Sequence, residues 1–286
     1  MIKRLTIIGV GLIGGSLARA LKQVQAVQEV IGCSRDEQHL QRAVALGVID
    51  RYETDMTRAV AGADMVVLAV PVGAMEAVYR QIASHLSDDA VVTDVGSSKV
   101  SVVEAVQQAV GEVPARFVPG HPIAGTEKSG VEASFAELFR QRRVILTPLA
   151  HTDAGALAKV RAMWRATGAI VEEVGVKHHD EVLAATSHLP HLLAFALVDT
   201  LATMHDKVEI FHFAAGGFRD FTRIASSDPQ MWHDICVNNR SEILAMLDLF
   251  MNDLGRLRKA IAENDSAYLL EVFQRAKQAR DQFNDA

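Results

Sequence analysis

The first half of the chain alternates short runs that are apolar throughout with longer segments whose apolar residues recur at helical spacing. The runs lie at 5–8, 29–33, 65–70, 90–93, 117–118, 144–146 and 170–174. Strands buried on both faces look like this, and strand–helix alternation at such spacing predicts parallel βαβ units and a doubly wound sheet. Beyond residue 174 the strand-like runs stop. The stretches 180–205 and 231–263 carry apolar residues at helical spacing, which predicts an all-helical second domain. The expected division is therefore an α/β domain with a doubly wound parallel sheet at 1–174 and an all-helical domain at 175–286. Within the helical half, 189–198 is apolar around most of its circumference, so it requires burial in a bundle or against a second subunit.

The sharpest local signal is Gly9-Val10-Gly11-Leu12-Ile13-Gly14, which follows the first strand and opens an amphipathic helix. In that context the glycines have separate tasks: Gly9 makes the tight turn, Gly11 admits a pyrophosphate to the backbone, and Gly14 lets helix and strand pack closely. The free N–H groups and the positive end of the helix dipole then hold the anion. At the end of the second strand, where an acid would bind an NAD ribose, the chain reads Ser34-Arg35-Asp36. Arg35 can neutralise a 2′-phosphate, so the site leans to NADP, whereas a shift of two residues would bring Asp36 to the ribose and favour NAD. Candidate cofactor contacts are thus Gly9, Gly11, Leu12, Ile13, Gly14, Ser34 and Arg35, with Val70 and Pro71 at the end of the 65–70 run.

Charge and composition narrow the partners. With 29 Lys and Arg against 35 Asp and Glu, the net charge of −6 supplies no basic field for nucleic acid. The longest uninterrupted apolar stretch, 65–75, contains Pro71 and Gly73 and is shorter than the ~20 residues of a membrane span. The N-terminus enters a buried strand at once. The two cysteines, Cys33 and Cys236, form no knuckle or disulfide framework, so the expectation is a cytoplasmic protein.

A nicotinamide enzyme needs a base beyond the carboxyl end of a strand, and His121 follows the run at 117–118. It opens the stretch His121-Pro122-Ile123-Ala124-Gly125-Thr126-Glu127-Lys128-Ser129-Gly130, read as a loop too rich in Gly and Pro for regular structure and too polar for a core. A loop histidine satisfied by backbone bonds is the competing reading. At another strand end, Ser97 and Ser98 of Val95-Gly96-Ser97-Ser98-Lys99 either cap a helix or orient His121 and the substrate. His188 and His191 stand three apart on one helix face but lack a third ligand at metal-binding spacing, so no metal is expected.

Together, GVGLIGGSLARAL at 9–21, VTDVGSSK at 92–99, GHPIAGTEKSG at 120–130, SHLPH at 187–191 and GGFRDFTRIASSDPQMW at 216–232 span nearly the whole chain. In this order they resemble the prephenate/arogenate dehydrogenase family of tyrosine biosynthesis, in its monofunctional form without a chorismate mutase segment or regulatory tail. The resemblance implies an NAD(P)-dependent oxidative decarboxylation of prephenate to 4-hydroxyphenylpyruvate, with arogenate as a second substrate, on a Rossmann-type dinucleotide-binding domain at 1–174 followed by a helical substrate and dimerisation domain at 175–286. It assigns His121 as catalytic base and Ser97 as the serine that meets the substrate hydroxyl, with Ser98 the alternative. His191 and Arg223 match substrate-binding positions, His191 being associated with acceptance of prephenate. Taken alone, Arg223 reads as a structural ion pair with Asp220. Glu127 and Asp220 fall around the pocket mouth, where an ion network with Arg223 is expected, within one subunit or across two, and Trp232 walls the same region. The family also makes a homodimer through the helical domain the expected assembly and tyrosine a candidate inhibitor. Two rivals remain: a β-hydroxyacid dehydrogenase, whose catalytic lysine has no counterpart in 180–205, and a non-catalytic nicotinamide-binding, redox-sensing module.

Overall fold

The computed structural model describes residues 1–204 and 207–284. His205, where one predicted helical stretch ends, and Ala286, where the predicted helical domain ends, lie outside the described residues. In chain order the elements of the first half are β1 (Ile2–Ile8), α1 (Leu12–Gln23), β2 (Val27–Cys33), α2 (Glu37–Ala45), β3 (Arg51–Glu53), α3 (Met56–Val60), β4 (Met65–Leu68), α4 (Met75–Ile82), β5 (Val91–Asp94), α5 (Val100–Val110), β6 (Phe117–Val118), β7 (Gly120–Pro122), β8 (Arg143–Leu146), α6 (Ala154–Ala166) and β9 (Ile170–Glu173). Helices follow: α7 (Val176–Leu183), α8 (Leu189–Ala202), α9 (Lys207–His212), α10 (Gly216–Thr222), α11 (Pro229–Asn238), α12 (Arg240–Glu263) and α13 (Ser266–Asn284).

Six strands form one parallel sheet in the order β3-β2-β1-β4-β5-β6. The doubly wound expectation therefore holds, and the strand order reverses between β1 and β4, where such sheets bind ligands. Alternate residues of β1 feed opposite layers: Leu5 and Ile7 pack with Leu17, Leu21 and Trp164 on one face, and Ile8 packs with Leu68, Met75 and Ile82 on the other.

Two predicted strands, at 144–146 and 170–174, do not extend this sheet. They pair with β7 in a separate three-stranded sheet, antiparallel between β7 and β8 and parallel between β8 and β9. Pro119 follows the two-residue β6 and has no N–H to continue the ladder, so the chain leaves the parallel sheet there. The reading of His121 as a loop residue is corrected by the same event: it lies in β7 opposite Ile145 and is only 9% exposed. Short, half-exposed β3 carries Arg, Tyr and Glu and gave no apolar run to detect.

By compactness the chain divides into units 1–240 and 241–286. Helices α7 and α8 belong to the first and are joined by a π-helical turn at Ala184–His188. The resulting helix, Val176–Ala202, is long and apolar enough by length and composition to cross a membrane, although polar residues interrupt its apolar runs. Its buried polar residues are all partnered: His179 bonds Asp180 and His121, Asp180 accepts the N–H groups of Lys99 and Val100, and His188 bonds Asn239, which marks it as a packed helix of this unit. The predicted stretch 231–263 is broken at Asn239, whose backbone leaves helical geometry while its side chain turns inward. In the second unit, α12 and α13 expose Leu249, Met251, Leu254, Ile261, Leu270 and Phe273. Both cysteines are free thiols.

Candidate active site

The register Ile8↔Leu68↔Asp94 brings the carboxyl ends of β1, β4 and β5 to one edge of the sheet. The turn after β1 is built for close approach. Gly9 has φ +96°, and a Cβ there would lie 2.2 Å from the Ala69 carbonyl oxygen; at Gly14 it would lie 2.3 Å from the Gly9 carbonyl oxygen. A Cβ on Gly11, by contrast, meets nothing within 4 Å, and no side chain caps the first turn of α1, which also lacks an acidic residue. Open space before uncapped helix N–H groups suits a pyrophosphate, so the residues fit a dinucleotide. Leu12 and Ile13 open α1, and Val70 and Pro71 follow β4 across the switch point. We expect Gly9→Ala to unfold the turn and abolish cofactor binding. Gly11→Ala should keep the wild-type Tm yet weaken binding in a titration of reduced-nicotinamide fluorescence.

At the end of β2, Ser34 is half-buried and Arg35 is exposed. Asp36 is committed elsewhere: its carboxylate accepts the His39 N–H at 3.0 Å and caps α2. The shift that would bring Asp36 to a ribose is thus opposed by the helix it starts.

Behind the switch point, β5 ends in Asp94 and α5 begins after Lys99, and both side chains are fully buried. The Lys99 ammonium pairs with Asp94 Oδ2 and donates to the Gly120 carbonyl at 2.7 Å, while Asp94 accepts the N–H groups of Gly96 (2.7 Å) and Gly120 (3.0 Å). This pair ties β5 to β7 and fixes the position of His121. Burial lowers the Lys99 pKa against the opposing pull of Asp94. Neither Ser97 nor Ser98 caps α5. That task falls to Asp180 of α7, whose oxygens accept the N–H groups of Lys99 (2.7 Å) and Val100 (2.9 Å). Ser97 is half-buried in the loop before Lys99, and the Ser98 hydroxyl is buried without a partner among the described residues.

His121 Nδ1 lies 2.9 Å from His179 Nε2, and His179 Nδ1 lies 2.7 Å from Asp180 Oδ1. Burial, reinforced by the Lys99 charge and by the cost of protonating beside His179 and His188, holds the His121 pKa well below the usual imidazole range. The imidazole is therefore neutral near pH 7 and able to accept a proton. Burial also lowers His179 despite its bond to Asp180, and brings His188 to about 4. For Asp180, burial by itself raises the pKa, but hydrogen bonds from His179, Lys99 and Val100 outweigh it and leave the carboxyl below its ordinary value.

These histidines set a pH dependence of stability. Above about pH 6.5 neither folded nor unfolded chains protonate them; below it only the unfolded chain binds protons readily. We expect the urea midpoint to fall as pH drops from about 6.5 toward 4, the window opened by His188. A midpoint constant from pH 7 to 5 would contradict this.

The π turn directs His188 inward, where Asn239 Nδ2 lies 3.0 Å from its Nδ1, and presents His191 to Trp232. Those two rings stack at 3.8 Å and 20°. His191 Nδ1 bonds the Ser187 carbonyl at 2.9 Å; burial, with the field of Arg223, lowers its pKa. Arg223 is exposed in a 3-10 turn at Arg223–Ser226. Asp220 and Glu127 are exposed too, and among the described residues no ion pair joins either of them to Arg223. Neither the Arg223–Asp220 pair nor the wider network thus forms within one protomer. Sequence reasoning missed His179, Asp180, Lys99, Asp94 and Asn239; their signal was only polar residues at positions that folding buries.

Two prephenate dehydrogenase families cover nearly the whole chain: the nucleotide-binding domain matches residues 17–173 and the dimerization domain residues 176–275. A cyclohexadienyl dehydrogenase of Zymomonas mobilis is 43% identical over 97% of this chain and 95% of its own length. The prephenate dehydrogenase of Aquifex aeolicus, solved with hydroxyphenyl propionate and NAD+, superposes with a TM-score of 0.91 at 37% identity, covering 99% of both chains. Synechocystis arogenate dehydrogenase superposes at 0.81 and 28% identity, covering 98% of this chain and 99% of its own. With a nucleotide turn, a buried neutral histidine and these relatives in hand, the chain belongs to the prephenate dehydrogenase family of NAD(P)-dependent oxidoreductases.

Proposed function

We propose that this protein converts prephenate to 4-hydroxyphenylpyruvate and carbon dioxide, takes arogenate as a second substrate, and prefers NADP to NAD. The observation that carries the reading is the buried His121 of β7, which Asp94 and Lys99 tie through Gly120 to the carboxyl end of β5, on the sheet edge that also holds the glycine turn. When bound there, the nicotinamide accepts the hydride from C4 of the ring. His121 takes the C4 hydroxyl proton as carbonyl character develops at C4. The electron pair of the breaking carbon–carboxylate bond enters the ring, and His121 returns the proton to the phenolic oxygen, so no net proton is released. Ser97, with Ser98 as the alternative, supplies a hydroxyl to the same oxygen. Arg223 offers a bidentate donor to a substrate carboxylate, and the His191–Trp232 stack forms a wall beside it. The neutral His121 ring lies in a site shielded from water, which keeps it ready as a base.

The preference for NADP is supported by Arg35 at the end of β2 and by the commitment of Asp36 to α2. The division at 174/175 gives the helical half the substrate-binding and dimerisation roles. A homodimer through that half is supported by α8, of which only Leu189 and Ala194 are buried, and by the apolar residues that α12 and α13 expose. Glu127 and Asp220 would then meet Arg223 only with a partner's contribution. Tyrosine, which resembles the product, would compete at the same pocket, and the setting is cytoplasmic.

The test crosses prephenate and arogenate with NAD and NADP and follows reduced nicotinamide. Turnover of prephenate, faster with NADP, is expected; Arg35→Ala should raise the KM for NADP about tenfold or more while leaving that for NAD nearly unchanged, in line with the loss of a charged hydrogen bond. No turnover in any combination, with cofactor still bound, would support a non-catalytic binding module instead.

A further inference from the structure

The proposed chemistry does not say which ring nitrogen of His121 is the base. We infer that Asp180, acting through His179, holds the His121 proton on Nδ1 and so leaves Nε2 bare for the substrate, making Asp180 and His179 positioning residues for the reaction. The inference rests on the catalytic reading of His121.

The argument is one of donors and acceptors. Asp180 already collects the N–H groups of Lys99 and Val100 as well as the His179 ring, and three donors converging on one carboxyl favour its ionised form. A carboxylate can only accept, so neutral His179 keeps its hydrogen on Nδ1, 2.7 Å from Asp180 Oδ1. His179 Nε2 is then an acceptor. His121 Nδ1, 2.9 Å away, must be the donor. A neutral imidazole carries one hydrogen, which leaves Nε2 of His121 unprotonated. The other ionisable groups whose fields reach this pair, Lys99, Asp94 and His188, come from the residue before α5, from β5 and from the π turn.

The same carboxylate has a second hold. By capping α5 across 80 residues of sequence it fixes the loop that carries Ser97 and Ser98. Asn239 bonds the Asp180 carbonyl at 3.0 Å and steadies it from the other side. One side chain thus sets the tautomer of the base and the placement of the serine loop. An asparagine could keep a cap bond through its amide oxygen, but its NH₂ facing His179 would reverse every hydrogen in the chain.

Asp180→Asn is expected to lower kcat about 10²–10⁴-fold, the range of a general base lost to the wrong tautomer. Substrate KM and binding of the reduced cofactor should be kept. Because this variant also loosens the cap, His179 supplies an independent pair: His179→Gln retains an acceptor for His121 and a donor for Asp180 and should recover most of the rate lost in His179→Leu. Nitrogen-15 NMR of labelled histidines reads the relay without turnover, with His121 protonated on Nδ1 in the wild type and on Nε2 in Asp180→Asn. Folded Asp180→Asn with wild-type kcat, equal losses in the two His179 variants, or a wild-type His121 protonated on Nε2 would each overturn the inference. Absence of wild-type turnover would instead remove the proposed function, and the NMR result would still judge the relay.

Discussion

Replacing His121 by Asn is expected to reduce kcat about 10²–10⁴-fold, the usual contribution of a positioned general base. An asparagine amide can still donate to His179 Nε2 and fills similar space in β7, so the fold, substrate KM and cofactor binding should survive. Loss confined to kcat is the signature of an interaction made in the transition state. In the wild type, the lowered His121 pKa places the acid limb of kcat/KM below the ordinary histidine value, because the free enzyme stays deprotonated to lower pH. A variant within about tenfold of wild-type kcat would mean that another group, or water, takes the proton.

The largest expected effect on stability belongs to Lys99→Met. Lys99 and Asp94 are both fully buried, and removing one partner of such a pair typically costs about 3–5 kcal/mol, because the remaining charge stays desolvated. For a unit of this size the corresponding fall in Tm is roughly 6–20 °C. Gly96 and Gly120 still donate to Asp94, so part of its solvation survives, which argues for the lower end. The double change Asp94→Asn with Lys99→Met should recover a share of the loss by removing the stranded charge. Differential scanning calorimetry of the two variants decides the point: equal losses would mean that packing of the lysine stem, and not the charge pair, is what the fold uses.

Much of the architecture is legible in the sequence. The apolar runs located seven strands to within a few residues, and the glycines of 9–14 announced both the tight turn and the ligand that a free helix N-terminus invites. Five motifs in order gave the family. Two strands were assigned to the wrong sheet, because an apolar run states that a strand is buried but not which neighbour it pairs with. His121 was placed in a loop for a related reason: Gly120 and Pro122 read as breakers, yet in a three-residue strand they pair with Leu146 and Val144.

Local periodicity and turn chemistry therefore determined the element types and the nucleotide turn, since each depends on neighbours within a few positions along the chain, and the ordered motifs singled out His121 as the candidate base. Only the tertiary structure decided what stands behind that residue. The buried Lys99–Asp94 pair, the cap that Asp180 gives to α5 and the His121–His179–Asp180 chain join residues up to 81 positions apart. Hydrogen bonds between distant segments leave no period in a sequence, and a polar residue reveals its task only when folding removes it from water and leaves it one partner to satisfy.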